Sequence, residues 1–509
     1  MKSKGTVFLV GAGPGDAGLL TLRGADLLSR ADVVVYDALI NPALLQLVPK
    51  TAETIFGGKR SNQHAIPQDE LNQLLVAKAR DGKNVVRLKG GDPYVFGRGG
   101  EEAEQLQAAG IPFEVVPGVS SVVAGPNYAG IPLTHRDHCS SFTVITGHED
   151  PTKEAASLDY VSLARMPGTK VILMGVERIR QIADSLVAHG MNPETPVAMV
   201  RWGTTGRQQT LEGTLKSIAD LVDRQKFSAP AVTVIGDVVK LRSKLNWFEQ
   251  RPLFGRRIVV TRTREQASQL SQQLLDLGGE VLEVPTIKIV EPDEKMPMLE
   301  ALQGLGEYDW VVFTSPNGVN SFFEYFFKAF DDIRALGNLR VAAVGPATAA
   351  RLKELHLRVD AMPEQYVAGK VSKAIAEYES VDNLRFLIAR AQVANAELCQ
   401  SLEGMGAIVD DVAFYKTVPE TEDRNGAAAQ LIESGADWIT FTSSSTVENF
   451  HARFDLPKLL TQFPDMKTAS IGPETSKALS ALGLKPTLEA KTHTIDGLVK
   501  ALRGAIEKS

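Results

Sequence analysis

The second half of the chain repeats itself, and that constrains its fold more than any other feature. IVVTR, ending at Arg262, returns 128 positions later as FLIAR, ending at Arg390. YDWVVFTS (308–315) returns at the same offset as ADWITFTS (436–443), and VAAVGPATAARLKEL (341–355) returns at an offset of 127 as TASIGPETSKALSAL (468–482). Each copy reads as short apolar strands that stop at glycines or hydroxyls and restart as helices, so two similar α/β lobes with a cleft between them are expected. A repeat preserves what the fold requires, so its asymmetries are candidates for function. Tyr415 is one: 128 positions before it stands Ile287. FTSPNGV and FTSSSTV both end a strand at hydroxyls and open a helix, whose free N–H groups suit carboxylates. The copies differ there, Pro316-Asn317 against Ser444-Ser445.

At 509 residues, with 44% hydrophobic and 23% charged, the chain reads as about three or four globular domains. A net charge of −6 points away from nucleic acid and from anionic membranes. A polyanionic small substrate would have to be met by local basic clusters. Two distant cysteines, Cys139 and Cys399, fit a reducing compartment rather than a disulfide framework. The opening MKSKGTVFLVGAGPGD is too short in apolar content for a signal-peptide core. No run of about eighteen apolar residues appears, so a cytoplasmic chain without membrane spans is expected.

In the first half, NVVRLKGGDPYVFGRGGEEAEQL (84–106) begins as a buried strand, breaks at five glycines and a proline, and restarts as an acidic helix start at Glu101-Glu102. A strand that stops at glycines before a helix is how α/β proteins build a ligand site at the carboxyl edge of a sheet. Thr6–Val10 reads as a first strand leading into GAGPGD (11–16) and a helix over Leu19–Ser29. The loop is no dinucleotide fingerprint, because the third glycine would fall at Asp16 and Pro14 removes a donor. A strand over Asp32–Tyr36 delivers Asp37, and 57–75 reads as a basic loop (Lys59, Arg60, His64) followed by a helix. Then come a helix over Glu101–Ala109, a strand over Phe113–Val116, a turn at Pro117-Gly118 and the hydroxyls Ser120-Ser121. His135, His138 and Cys139 lack a second ligand pair at zinc spacing, so no metal is expected. A second α/β unit follows, with buried strands within 141–148, 169–176, 196–204 and 229–239 and a helix over 213–223. LRSKLNWFEQRPLFGRR (241–257) breaks the rhythm and reads as a linker.

GAGPGD, YD at 36–37, GKR at 58–60, GGDPYVFGRGGEE, VPGVSS, YAGIPLTHR and LMG closely resemble the tetrapyrrole methylases, and within them uroporphyrinogen-III C-methyltransferase, over about residues 5–241. The resemblance implies two α/β domains with S-adenosylmethionine in the cleft between them. It places the methyl donor against Pro14, Gly90, Gly91, Asp92, Val95, Ser120, Ser121, Met174 and Gly203. It puts acid/base roles on Asp37 and Lys59, and gives Arg98 and Glu101 the holding and deprotonation of the tetrapyrrole. GPNYAG (125–130) departs from the family at Asn127, where a small residue is usual.

Residues 256–505 are similar to uroporphyrinogen-III synthase through VTR (260–262), TSPNGV, AVGPATA, EQYVAGKV (364–371), the Tyr415 strand, TSSST and IGPETSKAL; Thr263 stands where that family has proline. The implied fold is two α/β lobes, one discontinuous, with Tyr415 assisting hydroxyl departure. Thr314, Ser315, Thr442, Ser443, Ser444, Thr446 and the backbone at Gly345 and Gly472 would hold carboxylates. The expected division is a methyltransferase over 1–245 (subdomains about 1–136 and 137–245), a linker over 246–255, and a synthase over 256–509 (lobes about 256–288 plus 418–509, and 289–417). The expected activity is bifunctional. Hydroxymethylbilane closes to uroporphyrinogen III with ring D inversion, and two methylations at C2 and C7 give precorrin-2, toward sirohaem or cobalamin. The cofactor is S-adenosylmethionine with no metal, and a homodimer through the methyltransferase half is implied. The rival expectations are a chain with one live half and one degenerate binding half, and a non-catalytic tetrapyrrole carrier.

Overall fold

The computed structural model describes residues 4–58, 66–148, 158–261, 264–364, 368–423 and 425–508, and it is an α/β protein built on four five-stranded sheets. The first sheet contains β1 (Val7–Gly11), β2 (Val33–Tyr36), β3 (Glu53–Phe56), β4 (Val85–Lys89) and β5 (Phe113–Val116). All are parallel, in the order β3-β2-β4-β1-β5. Parallel strands are covered on both faces, so their sequences are near-continuously apolar. Val7, Leu9, Val33, Val35 and Val85 pack on one side against Leu71, Leu75 and Leu106, while Val10, Val34, Val86 and Leu88 pack on the other against Leu27 and Leu28. The central neighbours β1 and β4 run in register, so the glycine loops that follow them emerge side by side.

The second sheet contains β6 (Phe142–Thr146), β7 (Thr169–Leu173), β8 (Pro196–Arg201), β9 (Gln209–Thr214) and β10 (Ala231–Ile235), in the mixed order β6-β7-β10-β8-β9. The expected helix over 213–223 is corrected here. Gly213 and Thr214 finish β9, paired with Val197 and Pro196, and the helix is Ile218–Gln225. A side chain at Gly213 would meet Leu221 and Ser217, so the glycine is where the helix settles onto its own strand.

The second half contributes β11 (Arg257–Val260), β12 (Glu280–Glu283), β13 (Ile287–Val290), β14 (Trp310–Phe313), β15 (Arg340–Ala343), β16 (Arg385–Ala391), β17 (Ile408–Pro419), β18 (Trp438–Phe441), β19 (Lys467–Ser470) and β20 (Leu488–Glu489). They form sheets in the orders β12-β11-β18-β19-β20 and β13-β17-β16-β14-β15. The two sequence copies are not the two sheets. The first copy gives β11 and β12 to one sheet and β14 and β15 to the other; the second copy gives β16 and β17 to one and β18 and β19 to the other. Each sheet therefore joins the leading strands of one copy to the trailing strands of the other. The paired aspartates show the equivalence. Asp309 accepts from Arg385 N at 2.8 Å in one sheet and Asp437 accepts from Arg257 N at 2.7 Å in the other. The chain crosses between sheets at Val284–Thr286 and again at Glu420, whose N–H bonds Thr286 O at 3.0 Å.

The segment read as a linker is folded. Arg242 is buried, donating to Ala129 O at 2.7 Å and pairing with Glu249 at 2.6 Å and Glu212 at 2.8 Å. Phe248 and Leu253 are core residues, and Tyr128, Trp247 and Phe248 form one aromatic cluster with ring centroids about 5 Å apart.

Candidate active sites

In the first half, four loops converge. Gly13 and Gly91 exchange backbone bonds, N to O at 3.2 Å and 2.7 Å, which ties the loop after β1 to the loop after β4. Gly118, following β5, is pressed against both: a Cβ there would lie 2.2 Å from Gly91 O and 2.7 Å from Gly11 Cα. Only glycine permits three backbones to meet so closely. Asp92 locks the corner by accepting from Gly118 N at 3.0 Å and Tyr94 N at 2.8 Å. The fourth loop comes from the second sheet, after β8. Asp16 N donates to Thr204 Oγ1 at 3.0 Å, and Gly15 lies against Thr205. Backbone strain collects around this cleft. Phe96, Arg98, Trp202 and Thr204 all have φ between 49° and 71°, a region non-glycine residues rarely adopt.

Charge collects beside it. Arg87 and Lys89 alternate with Val86 and Leu88 on β4, so they share the face of Val85, under the helix Gly99–Ala108. Glu102 on that helix is fully buried and receives Lys89 Nζ at 2.7 Å and Arg87 Nε at 3.2 Å. Arg87 also reaches Asp37 at the end of β2, Nη2 to Oδ1 at 2.5 Å. Burial, then the neighbouring Arg87 charge, pulls the Lys89 ammonium below its ordinary pKa. Glu102 Oε2 has no hydrogen-bond partner among the described residues. On the exposed rim, Arg98 at the N-cap of the same helix forks onto Glu101, at 3.0 Å and 2.6 Å, and this holds the Glu101 carboxyl below its ordinary range.

In the second half the candidate groups are neutral, although the Arg390–Asp411 and Lys416–Asp293 ion pairs lie close to the Tyr415 strand. Ser315 caps the helix Pro316–Ala329 and Ser443 caps the helix Ser444–Phe454 at the equivalent place in the other copy. Tyr415 on β17 is 6% exposed and shares a 2.9 Å bond with the Ser315 hydroxyl; burial pushes its phenol above its ordinary pKa. Gly345 and Gly472 sit at the N-caps of Pro346–Glu354 and Pro473–Ala481.

Residues 6–219 match the tetrapyrrole (corrin/porphyrin) methylase family and residues 268–500 match the uroporphyrinogen-III synthase HemD family. Over 499 residues the chain is 39% identical to the porphyrin biosynthesis protein HemD of Ruminiclostridium josui, covering 98% of this chain and 97% of that one. The chain belongs to the fused tetrapyrrole methylase and uroporphyrinogen-III synthase family. Its first half is 55% identical over 247 residues to the S-adenosyl-L-methionine-dependent uroporphyrinogen III methyltransferase of Methanosarcina barkeri, covering 48% of this chain and 96% of that one. The chain is also 44% identical over 333 residues to the uroporphyrinogen-III C-methyltransferase of Bacillus subtilis, covering 65% of this chain and 68% of that one.

In the methylase half, the convergent loops contain Pro14, Gly90, Gly91, Asp92, Ser120, Ser121 and Gly203. Val95 and Met174 are exposed apolar side chains on the loops after β4 and β7. Asp37 is part of the charged network, Arg98 and Glu101 pair with each other, and Lys59, Arg60 and His64 lie outside the described residues. Asn127 turns its carbonyl to Trp247 Nε1 at 3.2 Å. The His135 and His138 rings lie tilted with centroids 4.9 Å apart, and among the described residues no group of His, Cys, Asp or Glu is placed to hold a metal. In the synthase half, Arg262, Thr263 and residues 365–367 lie outside the described residues. Thr314 and Ser315 follow β14. Thr446 is buried in the capping box, donating to Ser443 O at 2.7 Å, and Ser444 donates to Glu474 O at 3.0 Å, so both hydroxyls are engaged within their own lobe. Thr442 Oγ1 is buried with no hydrogen-bond partner among the described residues.

Sequence reasoning missed the Arg87–Glu102–Lys89 network. Its signal was present: two basic residues in an otherwise apolar strand require buried counter-charge. Glu102 had been read as half of an acidic helix start; Glu101 faces solvent and Glu102 faces the core.

Proposed function

We propose that the synthase half closes hydroxymethylbilane to uroporphyrinogen III with inversion of ring D, and that the methylase half methylates that product at C2 and C7 with S-adenosylmethionine to give precorrin-2. The observation that supports this best is the convergence of the loops at 11–16, 90–98, 118–121 and 203–205 on one cleft with the Arg98–Glu101 pair at its rim. The residues fit the methyl donor. A Cβ on Gly91 would project toward Ser120 Cα and Ser121 N at 3.9 Å, so the glycine leaves a backbone-lined cradle. Exposed Val95 and Met174 offer apolar contact to a sulfonium and a purine. Bound there, S-adenosylmethionine supplies an electrophilic methyl group.

The chain's own residues supply the rest. Arg98 binds a substrate carboxylate with the fork it now gives Glu101. Glu101, released, accepts the pyrrole N–H proton and so strengthens the attacking ring carbon. Asp37, anchored by buried Arg87, is a second fixed carboxylate for that proton, and Lys59 serves with it. In the synthase half, the Tyr415 phenol stays protonated and assists loss of the hydroxyl as water, while Ser443 and the helix N-termini at Gly345 and Gly472 hold carboxylates. The chain divides into a methylase over 1–245 and synthase lobes over about 256–288 with 418–509 and over 289–417. It works as a cytoplasmic homodimer paired through the methylase half, feeding sirohaem or cobalamin synthesis. Among the described residues no helix is long and apolar enough to cross a membrane.

The test is an anaerobic incubation with hydroxymethylbilane and S-adenosylmethionine, read by mass spectrometry and isomer separation. The doubly methylated type III product is expected. Tyr415→Phe should lower type III formation about 100-fold while supplied uroporphyrinogen III is still methylated. Only spontaneous type I macrocycle from the unaltered chain would sink the reading.

A further inference from the structure

The loop after β8, Trp202–Gln208, is gripped from two sides. One face meets the loop after β1 through Asp16 and Thr204. The other meets the joining segment, where Gly255 N donates to Gly206 O at 3.0 Å, and the synthase half, where a Cβ on Gly206 would lie 2.4 Å from Glu280 N, the first residue of β12. Beneath the loop runs a buried chain of bonds. Gln208 accepts from Thr204 N at 2.9 Å and donates to Glu249 Oε1 at 2.9 Å. Glu249, in the segment joining the halves, also accepts from Thr210 at 2.6 Å and pairs with Arg242. Trp202 and Thr204 hold left-handed backbone at φ 49° and 71°, which persists only where the surroundings over-determine it. Gly203 lies between them.

We propose that the joining segment and the synthase half set the conformation of Gly203–Thr205, so that the affinity of the methylase half for its methyl donor depends on the half that does other chemistry. Glu249 and Gln208 are positioning residues acting through Thr204, and Gly206 is the contact by which the synthase half braces the loop. This rests on the reading that Gly203 touches the donor.

The experiment measures S-adenosylhomocysteine affinity of the full-length chain by calorimetry, with the rate of hydroxymethylbilane cyclisation as a control. Gly206→Ala is expected to weaken affinity about fivefold or more, because the residue's φ lies outside the left-handed region and the added methyl can act only by wedging the halves apart. The KM for S-adenosylmethionine should rise with little change in kcat, and cyclisation should stay within twofold. Glu249→Ala should weaken affinity likewise, and Glu249→Gln, which retains an acceptor for Gln208, should restore most of it. Wild-type affinity in both Gly206→Ala and Glu249→Ala overturns the proposal. If Gly206→Ala loses cyclisation as well, the Glu249 pair decides by the same criterion. Gly203→Ala separates the two layers: wild-type affinity there removes the donor-site reading and this inference with it, whereas loss there alone, with Gly206→Ala and Glu249→Ala unaffected, overturns only the bracing.

Discussion

The methylase half keeps its polar chemistry as charge, and the synthase half keeps its own as neutral hydroxyls. Asp37, Arg87, Lys89 and Glu102 form one network, mostly buried, with Arg98 and Glu101 beside it. After the corresponding strands of the synthase half stand Ser315, Thr442 and Ser443, with Tyr415 inside β17 bonded to Ser315. Buried charges are costly to desolvate and hold one geometry only while every partner is present, which suits a proton removal that requires a fixed base. Hydroxyls and helix N-termini can be rearranged at little cost, which suits folding a flexible polyanion without a cofactor. The difference also predicts how each half fails when a single group is removed.

The largest effect should come from Glu102→Gln. It leaves Lys89 and Arg87 buried against reduced counter-charge and should cost the methylase half about 3 kcal/mol. Pulse proteolysis in urea, read by mass spectrometry, should show early cleavage within residues 6–219 and an unchanged pattern in the synthase half. Equal loss in both halves would erase the contrast.

A smaller effect separates the two copies of the repeat. Ser443→Ala removes a helix cap and should cost about 1 kcal/mol. Ser315→Ala removes the equivalent cap and also strands the buried Tyr415 hydroxyl, so it should cost about 2 kcal/mol. Denaturant midpoints of the two variants should differ in that order, and equal midpoints would mean that the Tyr415 bond contributes nothing.

The smallest effect is a shift along the pH axis. Arg98 depresses the Glu101 pKa, so the pair's stabilisation is present above the ordinary carboxylate range and is lost as pH falls through the depressed value. Arg98→Ala lets that pKa rise toward its ordinary value. The acidic limb of the methylation profile, below which the base is protonated, should then move to higher pH, with cyclisation unmoved. A limb that stays in place would remove Glu101 as the base. Both side chains are more than half exposed, so no measurable change in folding stability is expected.

Much of the methylase cleft was legible because its message is local. Glycines at 11, 13, 91 and 118 stand where strands end, and the reason, contact between backbones, holds wherever the strands come to lie. Asp37 was legible as a polar group following a strand and Tyr415 as an asymmetry of the repeat, although the tyrosine lies inside β17 and not at its end. The strands β3 and β9 were not. ETIF is short and half exposed, and QTLEGT contains a glycine ahead of a strongly amphipathic helix that drew the reading toward itself. Ser444 and Thr446 look like ligand hydroxyls in sequence, yet both are engaged, one by Glu474 O and the other by the capping box.

The sequence by itself determined the α/β class, the repeat and the loops able to approach a ligand. The class and the loops follow from hydrophobic period and glycine placement, which depend on neighbours a few residues away, and the repeat follows from comparing the chain with itself. The pattern of residues left open which strands share a sheet; only the family resemblance implied a discontinuous lobe. The repeat is silent on whether β14 and β15 join the strands before or after them, because either pairing buries the same apolar faces. Tertiary structure also turned Glu102 inward and Glu101 outward, and bonded the joining segment to Gln208 through Glu249. Those outcomes depend on partners 13 to 50 residues away or further, whose distance in space no local pattern encodes.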